Sequence, residues 1–314
     1  MEEIQTRHNK VIPAQHGPTI SVIIPVFNRA DCIVQAIASC LAQDDINLLE
    51  VLVVDDASTD CTREAVRSID DPRLRLIRRE RNGGGAACRN TGIDNANGDY
   101  VAFLDSDDTW DRHKLAEQIR TLGEHAWNPA IVCHSQYRAI TPSGVSILPG
   151  TAKPVDVGVA EYLFVQRGHI QTSSLLLPTE LARRTRFDPD LRKHQDYDFC
   201  LRLEQHGARF LMVDQPLLSW FHDNRPDRIT HRYGLDASEC FLESRLSLIG
   251  QKAADAFWTR HIFPKKFRVA PIAAMTALSK RMFSGPLPMR WYGRWLWTGV
   301  KHAVRRLLGS GRST

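Results

Sequence analysis

Three carboxylates stand within four residues, at Asp105, Asp107 and Asp108, directly after the apolar run Tyr100-Val101-Ala102-Phe103-Leu104. Like charges this close repel one another and resist burial. A divalent cation relieves that cost, and Mg2+ and Mn2+ favour carboxylate and phosphate oxygens. The alternative is a solvated acidic turn, or a helix start capped by Asp108. A second acidic pair, Asp55-Asp56, again follows an apolar run, Leu48 to Val54. A carboxylate there can accept from a base N–H or a ribose hydroxyl, or cap the next helix. The segment Asn82-Gly83-Gly84-Gly85-Ala86-Ala87-Cys88-Arg89-Asn90 lets backbone approach a ligand closely. Arg89, in the helix that follows, can meet phosphate or remain a surface arginine. His194-Gln195-Asp196 precedes another apolar helix. Asp196 either caps that helix or acts as a general base on a hydroxyl at about 2.6–3.2 Å. His222, with Arg225 and Arg228 after it, could approach a metal or a diphosphate, or form a solvated loop with internal ion pairs.

These groups must be held by regular elements. Thr19 to Val26 is β-branched and apolar and predicts a buried parallel strand that Pro25 halts. Asn28-Arg29-Ala30-Asp31 can cap a helix over about 31–42. Strands follow at Leu48–Val54, Leu74–Arg78 and 100–104, with helices at about 58–68 and 86–96 between them. Strand–helix alternation over 19–104 predicts an α/β fold: a Rossmann-like, mainly parallel central sheet flanked by helices. The carboxyl ends of its strands, where such folds place ligands, then carry the acids. Beyond Trp110 the pattern predicts a helix to about 122, a strand at 130–137, and loop or hairpin over 138–156. A helix at 159–166, a strand with a polar lead-in over Gln171–Pro178, a helix at 196–205 and a strand at 208–213 come next. From 235 onward the pattern is helical. Residues 1–18 read as a loose arm, 19–234 as a catalytic domain with a nucleotide-binding half (19–108) and an acceptor-binding half (109–234), and 235–314 as a helical, basic extension.

At 314 residues, 43% hydrophobic and 25% charged, the chain reads as globular rather than disordered. Its seven cysteines form no close pair, so neither a zinc knuckle nor a disulfide framework is indicated, and Cys40 and Cys88 are expected to be buried thiols. The first residues do not resemble a secretory signal, and no window of 18 apolar residues occurs, so a cytoplasmic protein without a transmembrane helix is expected. Charge is unevenly placed. Residues 256–314 hold 12 of the 41 basic residues and none of the 36 acidic ones. That asymmetry predicts an anionic partner for the tail. Over 289–308 an apolar stripe, a basic face and the aromatics Trp291, Tyr292, Trp295 and Trp297 fit a helix lying on the inner face of the plasma membrane. A helix packed on the body, or nucleic-acid binding, are the alternatives; the latter leaves the acids unused. Oligomerisation is left open.

The glycine segment lacks both G-x-G-x-x-G after the first strand and a Walker Lys-Ser/Thr, which argues against hydride transfer and P-loop hydrolysis. Instead, TISVIIPVFN (19–28), VVDDASTD (53–60), NGGGAACRN (82–90), FLDSDD (103–108) and Gln195-Asp196 resemble, in order and spacing, the family 2 glycosyltransferases of the GT-A fold, of bacterial polysaccharide-biosynthesis type. The resemblance implies an inverting transfer of sugar from a UDP-, GDP- or dTDP-sugar to a hydroxyl of an oligosaccharide or polyprenyl-linked acceptor. It implies Pro25, Phe27 and Asn28 beside the nucleotide, Asp56 on the base with Asp55 supporting it, and Asn82, Gly84 and Arg89 near the diphosphate or ribose. Asp105 with Ser106 would face the donor, and Asp105, Asp107, Asp108 and His222 would surround Mn2+ or Mg2+. Asp196 matches the family's base, although the usual E-D pair reads Gln195-Asp196 here. Thr172 and Ser173 would lie near the acceptor. A sugar nucleotidyltransferase is the rival enzyme, but Pro25-Val26-Phe27-Asn28 is not the phosphate loop it needs.

Overall fold

A computed structural model describes residues 17–221, 234–289, 291–293 and 297. Two compact units emerge. The first contains the described residues up to Leu148, with Gln171–Arg186 and Ala208–Phe221. The second contains Pro149–Ile170, Phe187–Gly207 and the described residues from 234 on.

The first unit is built on a nine-stranded sheet. β1 (Thr19–Val26), β2 (Asn47–Asp55), β3 (Leu74–Arg78) and β4 (Tyr100–Phe103) pair in parallel in the order β3-β2-β1-β4. The apolar runs of β1, β2 and β4 are what burial on both faces demands: Ile20, Val22, Ile23, Val53, Val101 and Phe103 are fully buried. Helices α1 (Ile33–Leu41), α2 (Thr62–Arg67) and α3 (Gly84–Asn95) connect them. α1 buries Ile33, Ala36, Ile37 and Cys40, the face its periodicity predicts. α3 lies so close to β1 that a Cβ on Gly92 would sit 2.3 Å from the Ile23 side chain, so only glycine fits there.

Beyond β4 the sheet departs from the parallel expectation and becomes mixed. After the two-residue β5 (Thr109–Trp110) and α4 (Lys114–Glu124), β6 (Ile131–Thr141) and β7 (Gly144–Leu148) form the anticipated hairpin. β8 (Leu176–Pro178) wedges antiparallel between β4 and β6, and β9 (Arg209–Phe221) runs parallel to β6 and antiparallel to β5. β9 extends eight residues past the predicted end at 213. Its polar stretch Asp214-Gln215-Pro216 is absorbed by register shifts opposite Ser135 and Gln136. α5 (Thr179–Thr185), hidden in the sequence behind Pro178, closes the unit.

The second unit is helical. The helix expected at 159–166 is present over 159–165, with Glu161–Val165 wound as a single π-type turn. α6 (Gln195–Gln205) follows, then helices Leu235–Ser244, Gln251–Phe257, Phe263–Val269 and Pro271–Ser284. Phe164, Phe241 and Phe257 meet edge-on and tilted at 5.1–5.2 Å around His194 and Tyr197. Asp198, fully buried, receives Arg202 and Arg245 at 2.7 and 2.5 Å and so ties α6 to the end of Leu235–Ser244. No described helix is long and apolar enough to cross a membrane. His222, Arg225, Arg228, the 1–16 part of the arm and most of 289–308 lie outside the described residues.

Candidate functional site

The direction of strand addition reverses between β1 and β4, because β2 and β3 lie on the other side of β1. In open α/β sheets the crevice at such a point, outside the carboxyl ends of the strands, is where ligands bind. Register sets the acids there. Val26 pairs with Asp55, Asp55 with Arg78, and Ile23 with Phe103, so Asp55, Asp56 and Asp105 all leave the sheet at one rim. Phe27, at the end of β1, is exposed at this edge beside the half-buried Pro25.

Asp56 is buried and serves the glycine segment. Its carboxylate accepts the Gly83 N–H at 3.0 and 3.1 Å, the Gly84 N–H at 2.7 Å and the Arg79 guanidinium. Asn82 donates to the Asp56 carbonyl at 3.3 Å. Gly84 has φ +80°, which penalises side chains. Arg79 was not singled out by sequence. The register that places Arg78 opposite Asp55 is the signal that could have found it. Asp55 accepts the Ser58 N–H at 3.1 Å. Asn28, at φ 51°, donates its N–H to Ser58 Oγ at 2.9 Å and accepts the Thr59 N–H at 2.9 Å. Asn28 and Ser58 thus bind each other's loops rather than cap helices, and α1 and α2 begin later than expected, at Ile33 and Thr62.

One helix links the two acidic groups. α3 begins on Asp56 with Gly84, and Cys88 contacts the Arg79 guanidinium at 3.8 Å. Burial, together with Asp56, pushes the Cys88 thiol up to about 12. The next residue, Arg89, donates to Asp105 at 2.6 Å, so its charge is directed at the acidic turn. Asp105 and Asp107 are half-buried and Ser106 is buried. Asp108 is buried as well. Its Oδ2 accepts Ser173 Oγ at 2.8 Å and Gln171 Nε2 at 2.9 Å, while its Oδ1 is buried without a hydrogen bond. Burial, then the charges of Asp105 and Asp107, hold the Asp108 carboxyl well above the usual carboxylate range.

Ser173 joins the acids to the fold: its Oγ also accepts the Asp105 N–H at 3.0 Å. The Thr172–Ser174 turn that carries it replaces the polar start of a predicted strand. Trp110 Nε1 donates to the Ser173 carbonyl and Gln118 Nε2 to the Ser174 carbonyl, both at 2.8 Å. Lys114 supports both, 4.1 Å over the Trp110 ring and 2.7 Å from Gln118 Oε1. Burial pushes the Lys114 amine down to about 7.

The charge state of Asp108 has a measurable consequence. In the unfolded chain its proton leaves near about pH 4, whereas the folded protein keeps it to higher pH. Between those values the folded state binds more protons, so Asp108 lowers stability as pH rises through the window. Asp108→Asn removes this cost. It raises the melting temperature at pH 7 and has little effect at pH 3.5. A neutral-pH melting scan showing a lower temperature would contradict this.

The carboxylates do not form a self-contained metal cage: among the described residues no three His, Cys, Asp or Glu side chains converge on one point. The mutual repulsion around Asp108 and its unbonded Oδ1 still fit a cation whose remaining ligands come from phosphate oxygens. The second unit holds Asp196 in the first turn of α6, half-buried, where the helix dipole favours an acid. No side chain caps this helix, and His194 before it is left-handed, at φ 63°.

The glycosyl transferase family 2 model matches residues 21–151, which span β1 to the hairpin and contain the acidic turn and the glycine segment. The amylovoran biosynthesis glycosyltransferase AmsB of Erwinia amylovora is 36% identical over 211 residues, covering 64% of this chain and 69% of its own. The succinoglycan biosynthesis protein ExoO of Rhizobium meliloti is 46% identical over 283 residues, covering 86% and 80%. Among solved structures, S. aureus TarS 1–349 in complex with UDP-GlcNAc superposes with a TM-score of 0.65 at 18% identity, covering 85% of this chain and 82% of that one. This likeness is one of fold. With relatives this similar over this much of their length, the chain belongs to the family 2 glycosyl transferases.

Proposed function

We propose that this glycosyltransferase works by a single displacement with inversion, in bacterial surface or exopolysaccharide assembly. The donor is a nucleoside diphosphate sugar seated at the rim of β1, β2 and β4, and the acceptor hydroxyl is deprotonated by Asp196. The observation that carries this reading is the convergence on one helix, α3, of the Asp56 clamp and the Arg89–Asp105 pair. Phe27 offers the base an apolar face, and the glycine N–H groups lie beside the diphosphate's place. Asp105 and Asp107 would hold Mn2+ or Mg2+ together with phosphate oxygens, and Asp108 and Ser173 would fix their turn. A bound divalent cation supplies Lewis-acid neutralisation of the leaving diphosphate. Arg89 directs a permanent positive charge to the same place. Asp196 takes the proton as the acceptor oxygen attacks, so no covalent sugar–enzyme bond is needed. AmsB and ExoO, by their names, serve amylovoran and succinoglycan biosynthesis, and TarS has been solved with UDP-GlcNAc; these support the donor class and the setting.

The reaction is tested by following α-linked UDP- and GDP-sugars in water by NMR, with Mn2+ and no acceptor. Slow hydrolysis is expected to release the β-anomer first. Initial release of the α-anomer would show retention and rule out the inverting single displacement.

A further inference from the structure

Lys114 opens α4 and is fully buried. Three circumstances make a lysine costly there. Burial disfavours an ammonium group and pushes this one down to about 7. Among the described residues no carboxylate pairs with it, and the titratable groups that act on it are the thiols of Cys40, in α1, and Cys133, in β6. Burial raises both thiols, Cys133 to about 12, so neither supplies a countercharge at neutral pH. A cation in the first turn of a helix also opposes the helix dipole. Methionine has a similar length and volume and carries none of these costs. Packing alone therefore does not call for a lysine.

The polar contacts of the amine show what it does. Nζ donates to Gln118 Oε1 at 2.7 Å, one helical turn on, and lies 4.1 Å over the Trp110 ring. The Gln118 amide is buried and gives its N–H groups to two carbonyls, that of Cys133 at 3.2 Å and that of Ser174 at 2.8 Å. A donor on its oxygen fixes the amide this way round, because a flipped amide would turn its oxygen on those carbonyls. The ammonium group over the indole steadies Trp110, whose Nε1 reaches the Ser173 carbonyl at 2.8 Å. Lys114 thus acts on two consecutive carbonyls of the Thr172–Ser174 turn. From that turn Ser173 Oγ spans the acidic turn, accepting the Asp105 N–H at 3.0 Å and donating to Asp108 Oδ2 at 2.8 Å. Every link lies in the first unit.

We propose that Lys114 is a positioning residue of the donor site: through Gln118, Trp110 and Ser173 it sets how Asp105 and Asp108 are held for cation and diphosphate. The donor part rests on the nucleoside diphosphate site proposed above. Control of the acidic turn by Lys114 does not.

The test compares Lys114→Met in the full chain with Ser173→Ala and the double variant. Ligand-free Lys114→Met melts at or above the parent temperature at pH 7, because losing a buried unpaired cation outweighs the one hydrogen bond removed. The peptide carrying the Asp105 N–H exchanges its amide hydrogens faster than in the parent, while those of β1 and β2 exchange as before. UDP and GDP are titrated calorimetrically in Mn2+, and whichever binds the parent more tightly loses affinity at least about fivefold in Lys114→Met. The double variant binds it no more weakly than Ser173→Ala, because both changes cut one chain of contacts. A lysine that merely supports the fold gives a lower melting temperature with faster exchange in β1 and β2 as well, and that result overturns the proposal. So does nucleotide affinity within about twofold of the parent, or losses that add in the double variant. If neither nucleotide binds the parent, the donor reading falls and exchange decides alone. Faster exchange confined to the acidic turn and the Thr172–Ser174 turn then upholds control by Lys114, and unchanged exchange overturns it.

Discussion

The Asp196→Asn protein folds, binds its nucleotide donor as the parent does, and transfers sugar at least about a hundredfold more slowly. Inverting displacement needs a base for the attacking hydroxyl, and an amide is isosteric with the carboxylate but cannot take the proton. Two residues later, Asp198 provides the contrast. It is fully buried between Arg202 and Arg245, so Asp198→Ala strands two guanidinium groups and costs about 3–5 kcal/mol of stability. Asp196→Asn leaves that network intact and therefore lowers turnover without lowering the melting temperature. Steady-state rates beside melting curves for the two variants separate catalysis from architecture. Normal turnover by Asp196→Asn would remove Asp196 from the mechanism.

Asp107→Asn raises the KM for the donor in Mn2+ at least about tenfold, a loss of ~1.4 kcal/mol, and leaves stability unchanged. The three acids of the turn are placed for different work. Asp105 is engaged by Arg89 at 2.6 Å, and Asp108 is buried under Ser173 and Gln171, with burial holding its carboxyl well above the usual carboxylate range. Asp107 is half-buried, and its charge is one of those that raise Asp108. A divalent cation held at this turn would therefore depend most on Asp107, with Asp105 beside it. The measurement is donor KM across a Mn2+ series. A variant whose donor KM and Mn2+ dependence match the parent would show that the acid is not a ligand.

The sequence was most legible where burial is symmetrical. β1, β2 and β4 are covered on both faces, so their apolar runs stand out, and their bounds fall within a residue or so of those expected. The acids that end these strands were visible because a charge breaks such a run abruptly. Legibility failed where partners come from afar. Arg79 reaches Asp56 only through strand register, and Trp110 and Gln118 hold the Ser173 turn across 63 and 56 residues of chain. β9 outran its prediction because Asp214 to Pro216 break the apolar alternation while β6 accommodates them by shifts in register. The capping role suggested for Asn28 gave way to loop-to-loop hydrogen bonds with Ser58 and Thr59, a choice fixed by the neighbouring loop rather than by local sequence.

The central claim is a metal-assisted nucleoside diphosphate site at the carboxyl ends of β1, β2 and β4. Calorimetric titration of UDP, GDP and dTDP into the full chain, in Mn2+ and again after chelation, tests it most directly. One of the three is expected to saturate a single site in Mn2+ and to bind far more weakly once the metal is removed. Failure of all three to bind the folded protein in either condition, or equally tight binding after chelation, would contradict the account.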